Sequence, residues 1–253
     1  MDTNAPAGTP GFLPIGSALL HIQSWLTGRE EAFTRWCDEC HHAEALQTPG
    51  YLACRRFELV PGYEYAAPHG AQYLTVYQLD DEHVMGNDAH QAVVAAMTPA
   101  PPGVVEALTF TSTIYRERFP IGGWMTPDGA VESGDEPIGS AILHVMMDVE
   151  PGWDDELNAW YAEEHLPRLL GVPGMLAGRR FVDAHWASLP FSHGGGVDGH
   201  HQYMATYELI DSDVVTTPEY AEAAAMSPRT AALAPHLSFF SQIYREVFRA
   251  TSA

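Results

Sequence analysis

His165 lies in the run Trp160-Tyr161-Ala162-Glu163-Glu164-His165-Leu166-Pro167, where residue types and spacing favour acid–base chemistry. Leu157, Tyr161, His165 and Leu169 recur every fourth residue, so a helix would place them in one inward-facing stripe. A histidine among apolar groups can exchange protons near neutral pH, as an isomerase, cyclase or lyase requires. His165 is therefore the first candidate catalytic residue, and a core histidine bonded to the backbone is the alternative.

Tyr161, one turn before His165, is the second candidate, because a phenol can donate to an oxyanion or simply pack in the core. His144 is the third. It alternates in register with Ile142 and Met146 on a predicted strand and shares their face. If that face is turned towards the helices, His144 and His165 line one cavity, but strand register alone leaves the face open.

Further side chains are candidates for substrate binding rather than catalysis. Arg179 and Arg180 follow each other on a strand, so they point to opposite faces, and a buried guanidinium needs a carboxylate from the protein or from a ligand. Aromatic and histidine side chains on the predicted helices and strands complete the set, which comprises Trp160, Arg180, Tyr207, Tyr244, His21 and His41.

The elements that position these residues are repeated along the chain. Pro14 to Ile22 returns as Pro137 to Val145, and Pro49 to Phe57 returns as Pro173 to Phe181. In the same order Trp36 matches Trp160 and His41 matches His165. We expect a mobile tail over 1–13, a first half over 14–119 with a degraded motif, a linker over 120–137 and a second half over 138–249.

Each half follows the order βαββαβ of a ferredoxin-like unit. The predicted strands cover 17–24, 51–60, 71–80 and 107–119, then 139–149, 175–184, 201–210 and 236–248; the predicted helices cover 28–46, 84–97, 153–170 and 217–233, with Asp154 as an N-cap. Leu237 and Ile243 alternate with Phe240 and Tyr244, so the last strand is apolar on both faces. Two such sheets should pack face to face into an intramolecular α+β barrel.

Trp160 to Pro167, Val172-Pro173-Gly174 and Ala177-Gly178-Arg179-Arg180-Phe181 resemble the EthD-like branch of the dimeric α+β barrel superfamily. The resemblance implies a pocket between sheet and helices that the helix histidine faces. It leaves the reaction open, because the superfamily includes cyclases, isomerases, cofactor-free monooxygenases and, in fused forms, haem enzymes. In the first half Cys37 and Cys40 replace Tyr161 and Glu164, so a second active site does not follow.

Composition excludes some partners. The net charge is −21, so nucleic acid and anionic membrane surfaces are not expected to bind, and no apolar run approaches the roughly 18 residues of a membrane span. Cys37, Cys40 and Cys54 are an odd number of thiols, which favours a reducing cytoplasm. Homodimer formation stays open.

No metal site is expected. Cys37 to His41 satisfies the C-x-x-C-H pattern of haem attachment, but the repeated helix already accounts for His41, and zinc would need ligands on several helix faces. The glycine- and histidine-rich segment 193–201 is interpreted as a loop, with a lid over the pocket as the alternative.

These patterns favour a cofactor-independent isomerase, cyclase or lyase acting on a small apolar, aromatic or lactone-like metabolite. The alternatives are a haem-binding tandem barrel, a cofactor-free monooxygenase and a non-catalytic ligand-binding module.

Overall fold

The computed structural model describes residues 7–63, 71–184 and 201–252. Within these ranges the strands are β1 (Gly11–Leu13), β2 (Ala18–Leu26), β3 (Tyr51–Leu59), β4 (Tyr73–Leu79), β5 (Leu108–Phe119), β6 (Trp124–Met125), β7 (Val131–Glu132), β8 (Glu136–Ile138), β9 (Ala141–Val149), β10 (Met175–Asp183), β11 (Tyr203–Leu209) and β12 (Leu237–Thr251). Strands β2 to β5 and β9 to β12 lie at the predicted strand positions, whereas the short strands β1, β6, β7 and β8 were not predicted.

Eight of the described strands close into an antiparallel barrel. Around the ring the order is β3, β4, β2, β5, β10, β11, β9 and β12, and β12 pairs with β3 to complete it. Strands β2 to β5 have the ferredoxin-like order, and β9 to β12 repeat it. The barrel is therefore two four-stranded sheets joined along two seams, β5 with β10 and β12 with β3.

The helices cover the outside of the barrel. The α-helices are α1 (Glu30–Trp36), α2 (His42–Ala45), α3 (Asp88–Ala96), α4 (Val104–Ala107), α5 (Asp154–Trp160), α6 (Leu166–Leu170), α7 (Pro218–Ala223) and α8 (Pro228–Leu233). Short 3-10 turns occur at Val84–Gly86, Ser212–Thr216 and Ala234–His236. None of the described helices is long and apolar enough to cross a membrane.

Two local expectations were wrong. The predicted helix over 217–233 is divided into α7 and α8, because Ser227 caps a new helix by accepting from the Thr230 N–H and Pro228 occupies its first position. Asp154 is the first residue of α5, not its N-cap: Trp153 holds the cap position, and the Asp154 carboxylate accepts from the Tyr203 hydroxyl instead.

The boundary of the tail also differs from the prediction. Residues 11–13 form β1, which pairs with β8 and satisfies its own backbone groups, and Leu13 is buried. The segment predicted as the 120–137 linker contains β6, which pairs with β10 through Met125 and Gly178. This segment is therefore attached to the sheet of the second half.

One end of the barrel interior holds a buried network of charges. Arg55 pairs with Glu208 (2.6 Å) and Glu246, while Arg179 pairs with Glu117 (2.7 Å) and lies 3.6 Å from Glu136. A cavity of about 30 Å³ beside these groups has room for about one water. Burial raises the pKa of Glu136 to about 7, and Glu208 raises it further while Arg179 opposes the shift.

This shift predicts that the protein loses stability as the pH rises. A carboxyl whose folded pKa exceeds its unfolded value stabilises the fold below the unfolded pKa, near 4.5, and the contribution disappears as the pH passes about 7. We expect the free energy of unfolding of Glu136→Gln to fall less with rising pH than that of the wild type, by about 2 kcal/mol. The full pKa shift would give a larger difference, but neighbouring carboxylates share the proton. Urea unfolding at pH 5.5 and pH 8 measures it, with exposed Glu132→Gln as the control. An unchanged pH dependence in Glu136→Gln would contradict the assignment.

Candidate functional site

The site begins with an irregular turn in the helix that carries the W-Y-x-E-E-H motif. Between α5 and α6, residues Tyr161–His165 form a π-helical turn, in which the Leu166 N–H donates to the Tyr161 carbonyl. The first half has the same turn at Cys37–His41. Such turns insert one extra residue into a helix and occur frequently at functional sites. Tyr161 and His165 lie side by side at this turn, and Tyr161 is buried in the core between the helix and the sheet.

His165 is held by aromatic contacts. Its ring stacks on Trp160 with centroids 4.2 Å apart and meets the edge of Tyr161 at 4.9 Å. Trp160 is fixed in turn by a bond from its indole N–H to the Thr230 hydroxyl (3.2 Å). The His165 imidazole is half-buried and makes no hydrogen bond with any described residue. Its two nitrogens are therefore available to another molecule.

Burial and nearby cations keep His165 uncharged. Burial lowers the pKa of His165 to about 3, and the charges of Arg168 and Arg180 lower it further. Burial also raises the pKa of Tyr161 to about 12, against the opposing effect of Arg180. At neutral pH the site therefore presents a neutral imidazole beside a protonated phenol.

Arg180 extends from β10 into the same layer and is almost completely buried. Its Cζ lies 3.9 Å from the centroid of the Tyr161 ring and 5.4 Å from that of Tyr203. Nη1 donates to Asn158 Oδ1 (2.9 Å), but Nε and Nη2 have no partner among the described residues. Burial lowers the pKa of this guanidinium. Among the described residues, no carboxylate pairs with the buried Arg180 guanidinium.

Tyr207 is the second unsatisfied polar group of the layer. It lies fully buried on β11 next to Tyr161, and burial raises its pKa. Its hydroxyl has no partner at good hydrogen-bond geometry in the described part of the chain, but the Tyr161 hydroxyl is close enough to interact with it. Buried polar groups without partners are uncommon and indicate strain, a ligand or a functional role.

The barrel interior receives the other predicted residues. His21 and His144 meet there, with their Nε2 atoms 2.9 Å apart and their rings nearly parallel. Tyr244 contacts His144 edge-on, and its single hydroxyl hydrogen has two acceptors within reach, Gln242 Oε1 (2.8 Å) and the Ala71 carbonyl (3.1 Å). Burial lowers the pKa of both histidines, that of His21 to about 3.

His144 and His165 therefore do not line one cavity. Ile142, His144 and Met146 face the space between the two sheets, whereas Leu143, Val145 and Met147 face the helices. A shared cavity would require His144 to lie on the helix-facing side of β9. His144 lies on the opposite side, which faces the other sheet. His144, His21 and Tyr244 form part of the barrel core and lie outside the layer that contains His165.

In the first half, other side chains occupy the layer between the helix and the sheet. The His41 ring lies against Trp36 in a tilted contact, with centroids 4.4 Å apart, and burial lowers the pKa of His41 to about 4. Cys37 occupies the position of Tyr161, and burial raises its pKa to about 12, so its thiol stays protonated. The described residues contain no cluster of three or more His, Cys, Asp or Glu that could hold a metal ion.

Two further expectations concern surface groups. Glu164 lies 3.5 Å from Arg168, four residues later, and also accepts from the Ser227 hydroxyl, as expected for an acid on the outer side of the helix. The loop prediction for 193–201 falls outside the described residues, apart from His201, which bonds Asp148 (2.6 Å).

Comparison with known proteins shows the class of fold. No protein-family model matches the chain, and no curated protein matches it. Among solved structures, an anthrone oxidase-like protein aligns with a TM-score of 0.58 and 14% identity, covering 96% of this chain and 97% of that one. A chlorite dismutase variant from Candidatus Nitrospira defluvii aligns at 0.51 and 11% identity, covering 91% and 92%.

A dye-decolorizing peroxidase from Bacteroides thetaiotaomicron aligns at a TM-score of 0.51 and 10% identity, covering 94% of this chain and 97% of that one. The chain thus folds as a closed antiparallel α+β barrel, and it shares this fold with these solved structures. At these identities the similarity shows the fold, and the chemistry has to be argued from the site itself.

The helix–sheet layer of the second half does not fit a haem in the described part of the chain. Leu157, Leu166 and Leu170 are completely buried between the helices and the sheet. A Cβ added to Gly178 would lie 3.3 Å from the Leu170 side chain and 3.4 Å from that of Leu166. A flat macrocycle would have to displace this packing, so no chemistry is assigned to haem.

Proposed function

We propose that the layer around His165 is the active site of a cofactor-independent enzyme that transfers a proton on a small aromatic or lactone-like metabolite, in an isomerisation, cyclisation or elimination. The observation that supports it best is the neutral imidazole of His165, free of hydrogen bonds to the described residues and close enough to the unpaired Arg180 for the charge to lower its pKa. A base next to an electrophilic cation is the pair that C–H deprotonation requires.

The positive charges of Arg168 and Arg180 make the basicity of His165 depend on whether substrate is bound. Arg168 and Arg180 lower the pKa of His165 in the free protein. A negative charge bound at Arg180 would neutralise part of that effect and raise the pKa, so the imidazole becomes a stronger base when substrate is present. Tyr161 stays protonated and is the hydrogen-bond donor next to it. Trp160 holds the imidazole ring in place.

Deuterium exchange tests this function without knowledge of the product. A panel of enolisable aromatic acids and unsaturated lactones would be incubated with the protein in D₂O, and incorporation at the acidic carbon would be followed by NMR. We expect incorporation above the uncatalysed rate for at least one chemical class. No exchange across the panel would contradict proton transfer and leave the non-catalytic binding module. Oxygen consumption with a quinol instead of exchange would indicate a cofactor-free monooxygenase.

We expect the purified protein not to take up haem. The filled layer at Leu166, Leu170 and Gly178 leaves no slot for the macrocycle in the described residues. The measurement is the Soret absorbance that remains with the protein after haem addition and gel filtration. One equivalent of retained haem would contradict this expectation and favour the haem-binding alternative. Homodimer formation and a cytoplasmic location stay predictions.

A further inference from the structure

Two arginines at matched positions of the halves have different partners. Arg56 on β3 matches Arg180 on β10. The Nε of Arg56 donates to Asp38 Oδ1 (3.0 Å) and its Nη2 to Asp38 Oδ2 (2.8 Å), a bidentate pair. On Arg180 the same two atoms, Nε and Nη2, are the ones without a partner among the described residues. Among the described residues, the same guanidinium edge is therefore paired with a carboxylate in the first half and unpaired in the second.

The helix explains the difference. Since Trp36 matches Trp160 and His41 matches His165, Asp38 corresponds to Ala162. Both residues lie within π-helical turns of five residues. The first half therefore supplies a carboxylate from its helix, and the second half has a methyl group at that place.

The matched tyrosines Tyr77 and Tyr207 also differ in their hydrogen-bond partners. In the first half the Tyr77 hydroxyl bonds His42 Nδ1 (2.7 Å). In the second half Leu166 replaces His42, so the matching Tyr207 hydroxyl lacks that partner and has only a weaker interaction with the Tyr161 hydroxyl in the described ranges. Two polar groups that the first half satisfies internally are thus left for a ligand in the second half.

We propose that the substrate is a small organic carboxylate whose two oxygens bind the Nε and Nη2 of Arg180, at the place that the Asp38 carboxylate occupies on Arg56. This inference rests on the proposed function and names its substrate class. It also makes the chain a one-site protein, because Asp38 already fills the matching edge in the first half.

Geometry and charge favour a carboxylate. The pair formed by Asp38 shows that two oxygens of one planar group match this edge, and such side-on pairing is strong and directional. The Asp38 side chain is 27% exposed, so the carboxylate of the first half lies at the margin of its layer. Nε and Nη2 of Arg180 are themselves closed to solvent, so a ligand would reach them by displacing side chains beside the half-buried Ala162. One negative charge balances one guanidinium, and the body of the substrate would lie towards Tyr161 and His165.

The test is to place the missing carboxylate in the second half. Ala162→Asp should pair with Arg180 as Asp38 pairs with Arg56, and Ala162→Asn is the neutral control of the same shape. We expect the midpoint of thermal unfolding to rise by a few degrees in Ala162→Asp relative to Ala162→Asn. Benzoate, the probe, should raise the midpoint of the wild-type protein and bind with a stoichiometry of one in calorimetry. Ala162→Asp should reduce benzoate affinity at least tenfold, and inorganic phosphate at the same ionic strength should bind more weakly than benzoate.

Equal stability of the two Ala162 variants together with unchanged benzoate binding in Ala162→Asp would overturn the inference. Tighter binding of phosphate than of benzoate would also overturn the carboxylate assignment. The outcomes separate this inference from the proposed function. Benzoate binding that is lost in Ala162→Asp without any exchange activity supports the carboxylate site and contradicts catalysis. Exchange activity that survives in Ala162→Asp supports catalysis and contradicts the carboxylate site.

Discussion

Replacing His165 by Ala is expected to reduce the rate of substrate deuterium exchange about a hundredfold, the usual contribution of a positioned general base. The imidazole stacks on Trp160, contacts the edge of Tyr161 and makes no hydrogen bond with the described residues, so its removal takes away the proton acceptor and breaks few other contacts. The rate is measured in D₂O by NMR with the best substrate of the panel.

Two controls accompany this variant. His236→Gln changes a histidine that stacks on Trp153 and bonds Glu150 at the edge of the barrel, and it should retain the wild-type rate. Benzoate binding to His165→Ala should persist, because Arg180 is unchanged, and this shows that the site is still folded. A folded His165→Ala variant with wild-type exchange would exclude His165 as the base.

Asp38→Ala is expected to lower the free energy of unfolding by about 3 kcal/mol, since it leaves the buried Arg56 without its carboxylate. This is the lower end of the range for a broken buried pair, because the Asp38 side chain is partly exposed and water replaces part of the interaction. Urea unfolding measures the loss. Added benzoate should restore part of the stability by filling the vacated edge of Arg56, and the binding stoichiometry should rise towards two.

Glu39→Ala is the matched control for Asp38→Ala, because it removes the same charge from the exposed neighbouring residue. Exposed charges contribute little, so its stability should stay within about 0.5 kcal/mol of wild type. Equal stability of Asp38→Ala and Glu39→Ala would mean that the bidentate pair with Arg56 does not stabilise the first half.

The sequence alone predicted the main strands of both sheets and one inward-facing stripe of residues on the helix that carries the site. Alternation of apolar residues predicted the strands of both sheets, and helical spacing predicted that Leu157, Tyr161 and Leu169 face inward, where they are buried. Both signals are local and periodic. The face of β9 that carries His144 is set by the packing of one sheet on the other, and no local pattern reports that choice.

The π-helical turns and the difference between the arginines were not predicted. A π turn has no characteristic composition, so a regular helix was the expectation for Tyr161–His165. The pair formed by Asp38 and Arg56 joins a helix to a strand, and only the tertiary structure shows the contact. A signal was nevertheless present, because alignment of the two halves places a charged Asp38 opposite an uncharged Ala162. That comparison indicates the carboxylate site proposed above.

The two seams of the barrel, β5 with β10 and β12 with β3, lie within a single chain. When two identical chains form such a barrel, one gene encodes both layers, so every substitution is made twice. Here the residues of the two layers can change separately. In the proposed arrangement Asp38 stabilises one layer while Ala162 leaves the other able to bind a carboxylate, and Asp38 keeps one arginine neutralised even when no substrate is present. Covalent linkage therefore permits a division of labour between stability and recognition that a symmetric dimer cannot achieve.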